Sequence, residues 1–294
     1  MGFHPSSDIA HFSNSTRAFG VIAGDGELPF LLVEDVQLQA PERHIVFVPV
    51  TKASAELAPQ NLPAGVSIFP CGVGQIRKIT QIFHQYQVTE IAIIGKVHKS
   101  ILLKPLHLDS IALQILARTR NRGDQAILSG VMAHFEAEGI GIVPQSRYLV
   151  DSIPKAGLLA KRKPTTAEWK DIKYGLEIAR SIADLDIGQT VVVKDEIILS
   201  VEATEGTDQT IRRAGDLASK GMTVVKTAAT HHDFRIDTPT IGSHTLEAMR
   251  AAEASVLAVE AERVLLIRPQ ELAQLANQYR ISIVIVEPQK VVDS

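Results

Sequence analysis

Cysteine is nearly absent: Cys71 is the single one in 294 residues. That excludes a disulfide framework and any multi-cysteine zinc site, and it fits a reducing compartment. Excess charge of one sign is also missing, with 30 Lys+Arg against 33 Asp+Glu and a net charge of −3. A nucleic-acid binder held by bulk charge would show a marked basic excess. No run approaches the ~18 consecutive apolar residues that a membrane span takes. The longest, such as Ile281–Val286, are of strand length. The first 16 residues are polar and carry no basic segment followed by an apolar stretch, so no secretory signal is expected. They read as a short disordered leader on a cytoplasmic protein. What the chain does have is core material: 45% of residues are hydrophobic, enough to exclude a disordered acidic tail. The length suggests two domains.

The first half alternates short β-branched runs with amphipathic helices. Phe19–Ala23, Ile45–Val48, Val66–Phe69 and Ile91–Ile94 read as strands buried on both faces, as a covered parallel sheet requires. Gln75–Tyr86 places Ile76, Ile79, Ile82 and Phe83 at helical spacing. A second helix follows Asp124, ending before Gly139, and Ile140–Val143 suggests one more strand. The expected fold is α/β: a Rossmann-like parallel-sheet domain over residues 17–150, a linker at 151–166, and a mixed α/β domain over 167–294. Thr165-Thr-Ala-Glu168 has capping-box spacing and should start a helix that buries Trp169, Ile172, Leu176, Ala179, Ile182 and Leu185. Thr190–Val193 and Glu196–Val201 flank a hairpin turn, and Thr207–Ala218 reads as a helix.

Four places could carry chemistry. The first strand runs into Ala23-Gly-Asp-Gly-Glu-Leu-Pro29. Glycines let backbone amides approach an anion there, although Pro29 stands where a dinucleotide fingerprint needs its third glycine. A tight βα turn explains the same residues. Gly95-Lys96 follows another strand, at the end of a sheet where α/β proteins bind ligands. In the second half, Val201-Glu-Ala-Thr-Glu-Gly-Thr-Asp208 gathers Glu202, Glu205 and Asp208 around a glycine turn. Amides near Gly206 and Thr207 suit an anion and the carboxylates suit Mg²⁺, while a capped helix with solvated acids is the plain structural alternative. Asp233, Arg235 and Asp237 alternate, which on an extended segment would put them on one face, as a salt-bridge ladder or as a charged centre.

Taken in order and spacing, these motifs resemble the LpxI-type UDP-2,3-diacylglucosamine pyrophosphatase family of lipid A synthesis. The matching segments are Ile22–Pro29, Gly95–Val97, Arg122–Asp124, Leu185–Val193, Val201–Asp208 and Arg235–Gly242. The resemblance implies two domains holding a lipid substrate between them and a Mg²⁺-dependent attack of water on the α-phosphorus. The products would be UMP and 2,3-diacylglucosamine 1-phosphate. It implies Asp237 as the catalytic acid, as metal ligand or as orienter of the water, with Glu205 and Asp208 as further metal ligands. Substrate contacts would fall to Gly24, Gly26, Leu28, Pro29, Gly95, Lys96, Gln189, Gly206, Thr207 and Lys226. No nucleic acid is expected as partner, membrane contact would be peripheral at the inner face, and a homodimer is left open. Ala229, Thr230 and His232 depart from the family pattern, as does Gln125. A non-catalytic carrier or sensor of nucleotide-lipids on the same fold is the rival reading. A dehydrogenase is disfavoured by the broken glycine fingerprint.

Overall fold

The computed structural model describes residues 17–97, 108–118, 124–218, 220–235 and 238–287. Contacts divide the chain between Val143 and Pro144 into two units.

The first unit is a five-stranded parallel sheet in the order β3-β2-β1-β4-β5. Its strands are β1 (Ala18–Ala23), β2 (Ile45–Pro49), β3 (Ser67–Ile68), β4 (Val88–Ile94) and β5 (Gly141–Ile142). Every residue of β1 and β2 is buried, which is why both read as unbroken apolar runs. The helices are α1 (Leu28–Gln39), α2 (Lys52–Asn61), α3 (Ile76–Gln85), α4 (Ser110–Arg118) and α5 (Asp124–Ala137). On one side Ile22, Val46, Val48 and Ile91 pack with Ile76, Ile79 and Phe83 of α3 and with Phe135 of α5. Strand order reverses between β1 and β4, and that switch point is where a doubly wound sheet leaves a crevice at its carboxyl edge.

The second unit is built on a six-stranded mixed sheet, β6-β13-β11-β9-β7-β8. Its members are β6 (Gly157–Leu158), β7 (Thr190–Lys194), β8 (Ile197–Val201), β9 (Thr223–Lys226), β11 (Val256–Glu260) and β13 (Ser282–Val286). A separate parallel pair joins β10 (Thr240–Ile241) to β12 (Leu265–Leu266). Strands β9, β11 and β13 run parallel, while β7 and β8 form an antiparallel hairpin against β9. The helices are α6 (Thr166–Asp184), α7 (Thr207–Leu217), α8 (Ser243–Ala251) and α9 (Pro269–Tyr279). Side chains of a strand alternate between faces, and the sequence uses both. Val191, Val193, Val225, Val256 and Val284 face α6 through Ile172 and Ala179. Val192, Val224, Leu257 and Ile283 meet Ile211 of α7, Leu246 and Met249 of α8, and Leu272 of α9.

The capping box at α6 is formed in both directions: Thr165 accepts from the Glu168 N–H, and Glu168 accepts from the Thr165 N–H. Two expectations change here. Trp169 is 46% exposed and Leu185 70% exposed: the buried face of α6 runs through Glu168, Ile172, Gly175, Ala179 and Ala183, with Trp169 to one side of it and Leu185 beyond the last helical residue. The stretch expected as a linker contributes β6, an edge strand paired antiparallel with β13, and Arg162, which donates to Glu168 and to Ser282. Among the described residues no helix is long and apolar enough to cross a membrane.

Candidate functional site

At the switch point of the first unit, the turns after β1 and β4 are clipped to each other. The Asp25 N–H donates to the Lys96 carbonyl and the Lys96 N–H to the Asp25 carbonyl, both at 2.8 Å. The Gly24 N–H donates to the Ile94 carbonyl. Glycine is needed on both sides. A Cβ on Gly24 would lie 2.6 Å from the Lys96 carbonyl oxygen, and one on Gly95 would lie 2.8 Å from Gly24 backbone. Gly95 also has φ +92°, a conformation other residues rarely adopt. The expectation that the Gly24 amide meets a phosphate is therefore corrected, because that amide already has a partner. Leu28 and Pro29 are buried in the first turn of α1, where they pack rather than present a contact surface. Gly26 and Lys96 are exposed beside the turn. The Asp25 carboxylate accepts from the hydroxyl of Thr51, which also caps α2.

The second unit brings four of the expected residues into one hydrogen-bonded chain. Lys226 ends β9 and is only 6% exposed. Its Nζ donates to Thr207 Oγ1 at 2.8 Å. Thr207 in turn donates to Glu202 Oε1 at 2.9 Å, and Glu202 Oε2 accepts from the Gln189 N–H at 3.2 Å. Thr190 Oγ1 lies 3.3 Å from Thr207 Oγ1. The local fold explains the assembly. The Glu202 N–H donates to the Thr190 carbonyl, which holds the end of β8 against the start of β7. Gly206, at φ +84°, then turns the chain into α7. That helix starts without a side-chain cap, and its first residue, Thr207, accepts from the buried ammonium. Lys226 has a hydroxyl as its hydrogen-bond partner among the described residues, and a buried cation so placed favours an anion. Glu202 is buried in this chain as the partner of Thr207, rather than standing with Glu205 and Asp208 as one of three similar carboxylates. The signal for it was its place in the Glu-x-x-Glu-Gly-Thr-Asp run, where three acids stand close in sequence and only contacts distinguish them.

The carboxylates expected to hold Mg²⁺ divide. Glu205 is taken: Arg213 donates to it at 2.6 Å and the Ala203 N–H at 3.2 Å. Backbone hydrogen bonding, followed by the Arg213 guanidinium, keeps its carboxyl below the usual range. Its oxygens are committed to a cation within the chain, so Glu205 does not fit as a primary ligand. Asp208 fits better, with Oδ1 accepting from Thr245 at 3.1 Å and Oδ2 accepting nothing among the described residues. Among those residues no three His, Cys, Asp or Glu side chains form a metal-holding group. Asp237 lies outside the described residues.

Its neighbours are placed. Phe234 and Arg235 sit in a turn rather than on an extended segment, which corrects the expected shared face. The turn is closed locally: the Arg235 N–H and Nε both donate to Asp233 Oδ1, and Nη2 donates to Oδ2 at 2.7 Å. Hydrogen bonding to the Arg235 side chain holds the Asp233 carboxyl below its usual range. After Asp237, the chain is fixed by β10, with Leu265 donating to the Pro239 carbonyl.

Comparison with known proteins matches this layout half by half. The model of the LpxI N-terminal domain matches residues 18–152, and that of the LpxI C-terminal domain matches residues 155–284. A relative from Caulobacter vibrioides, UDP-2,3-diacylglucosamine pyrophosphatase LpxI, is 30% identical over 287 residues, which span 93% of this chain and 99% of the relative. With both domains matched in order and a relative aligned almost end to end, the chain belongs to the LpxI family.

Proposed function

We propose that the protein hydrolyses the diphosphate of UDP-2,3-diacylglucosamine, in the lipid A pathway, to UMP and 2,3-diacylglucosamine 1-phosphate. The supporting observation is the buried Lys226 ammonium, hydrogen-bonded to a neutral hydroxyl beside the uncapped start of α7. Family membership makes the diphosphate the anion to be recognised.

The reaction forms one bond from water to the α-phosphorus and breaks the bridging P–O bond, so the sugar 1-phosphate leaves. Negative charge grows on that oxygen. A fixed cation in a site sheltered from solvent stabilises such charge more than water can, with no reorganisation at the moment of reaction. Lys226 fills this role. Thr207 and Glu202 hold it there, because the Thr207 hydroxyl points its proton at Glu202 and so offers its lone pair to the ammonium. Gln189 closes the chain through its N–H. The exposed Lys96, on the clipped turn of the first unit, is a contact for the nucleotide or sugar phosphate.

Mg²⁺ is the cofactor of this reading, with Asp208 and Asp237 as its carboxylate ligands in place of Glu205; when bound it would neutralise charge on the diphosphate. Asp237 is the acid on which turnover depends. The protein works in the cytoplasm, and contact with the inner membrane is peripheral, through the acyl chains of the substrate.

The test is direct. Purified protein with Mg²⁺ and UDP-2,3-diacylglucosamine should release UMP, and Asp237→Asn should retain the lipid while losing turnover. Lipid binding with no UMP from the unaltered protein would favour the carrier and end the enzyme reading.

A further inference from the structure

Below the site, a cluster of charges lies at the carboxyl ends of β9 and β11. Glu260, the last residue of β11, is 1% exposed. Its carboxylate accepts from Arg180 on α6 and from the hydroxyl of Thr227, and Arg263 Nε lies 3.8 Å from its other oxygen. Both arginines reach past Glu260 to the main chain that leaves β9. Arg180 donates to the Ala228 carbonyl at 2.7 Å, and Arg263 donates to the Ala229 carbonyl at 2.8 Å and the Thr230 carbonyl at 3.4 Å. Asp184, at the end of α6, accepts from the Thr230 N–H and hydroxyl. Four side chains from two places in the sequence, Arg180 and Asp184 on α6 and Glu260 and Arg263 at the end of β11, therefore grip residues 227–230. A loop with this many charge-assisted bonds to its carbonyls is held far more firmly than β9 alone requires.

The gripped segment begins one residue after Lys226. Successive side chains of a strand point to opposite faces, so Lys226 turns toward Thr207 while Thr227 turns toward Glu260. The Thr227 N–H also donates to the Gln189 carbonyl, and the Gln189 N–H leads to Glu202. Thr227 thus joins the buried cluster on one face to the Lys226–Thr207–Glu202 chain on the other.

We propose that Glu260, with Arg180 and Arg263, is the positioning device of the site: it fixes Thr227 and thereby the place and direction of the Lys226 ammonium. This rests on the reading of Lys226 as the group that meets the diphosphate. Glu260 touches no substrate and acts only through the backbone it holds. Replacing it leaves two guanidinium groups without their shared carboxylate, so the segment loosens and Lys226 loses its fixed aim. Misplacement of such a group by about 1 Å is enough to cost on the order of 100-fold in rate.

The experiment is a double-mutant cycle on kcat/KM with Glu260→Gln and Lys226→Ala, joined to hydrogen exchange on the full chain. Glu260→Gln should lower kcat by about 10- to 100-fold. It should have little further effect when Lys226 is already Ala, since both changes remove the same interaction. Amide exchange should quicken over residues 227–230 and stay unchanged in the first unit. Two losses that multiply, or unchanged exchange at 227–230, would overturn the proposal. If Glu260→Gln does not fold, Thr227→Val keeps the strand-forming shape, removes the hydroxyl contact and is put through the same measurements. Should the unaltered protein release no UMP, the reading of function fails, while the exchange data still decide whether Glu260 holds the segment.

Discussion

Lys226→Met separates stability from activity. The substitution keeps an unbranched apolar stem and removes one charge. Two hydrogen bonds of 2.8 and 2.9 Å connect Nζ to the Glu202 carboxylate through Thr207, so the two charges lie within about 6 Å. At an effective dielectric of about 20, that separation gives an attraction of about 3 kcal/mol. Keeping an ammonium in a position 6% exposed costs several kcal/mol of lost hydration. The two contributions nearly cancel, and the folded state should gain or lose no more than about 1 kcal/mol, a shift in Tm of about 2–4 °C. Catalysis has no such offset. Removing one preorganised donor to a developing oxyanion typically costs 10²–10³ in kcat, about 3–4 kcal/mol. Thermal unfolding and UMP release, measured on the same preparation, check both halves. A fall in Tm of more than about 10 °C with turnover retained would mean that Lys226 serves the fold and the argument is wrong.

Other outcomes follow from particular contacts. Gly95→Ala should destabilise the first unit by at least about 2 kcal/mol, since the residue has φ +92° and a Cβ would meet Gly24 backbone at 2.8 Å; chemical denaturation reads this. Glu168 ties Arg162, Ser255 and the Thr165 N–H together. Although burial alone would raise its pKa, those hydrogen bonds outweigh burial and lower it. Its contribution is therefore present above the unfolded value of about 4.3 and is lost as pH falls through the lower folded value. Glu168→Gln should be clearly less stable than the parent at pH 7, with the gap in Tm closing toward about pH 3. Removing Mg²⁺ with a chelator should stop hydrolysis and leave the circular dichroism unchanged, because both units are held by apolar cores; a lost folded signal would contradict this.

Much of the architecture was readable because its signals are local. Strands β1 and β2 are buried on both faces and announce themselves as continuous apolar runs. The capping box of α6 needs only four residues to be recognised. Helix α2 was not read, since Pro59 interrupts it and only Ser54 and Ala58 are buried. Trp169 misled for a physical reason: it stands beside the buried stripe rather than on it, and that stripe runs through Glu168, Ile172, Gly175 and Ala179. In the site, Thr207 and Lys226 were recognisable from motifs, whereas their hydrogen bond links residues 19 apart and is visible only in three dimensions. Glu260 gave no signal at all. Its partners Arg180 and Thr227 are 80 and 33 residues away, and a single Glu at a strand end reads as solvated surface.

The reciprocal pair of backbone bonds between Asp25 and Lys96 acts as a rivet across the seam of the first unit. In many nucleotide folds that seam is a mouth, and amide groups line it. With the Asp25 and Lys96 amides paired to each other, the proposed recognition in this half would rest on outward side chains such as the Lys96 ammonium. Such recognition can be retuned by exchanging single side chains, with the stitched backbone beneath left as it is.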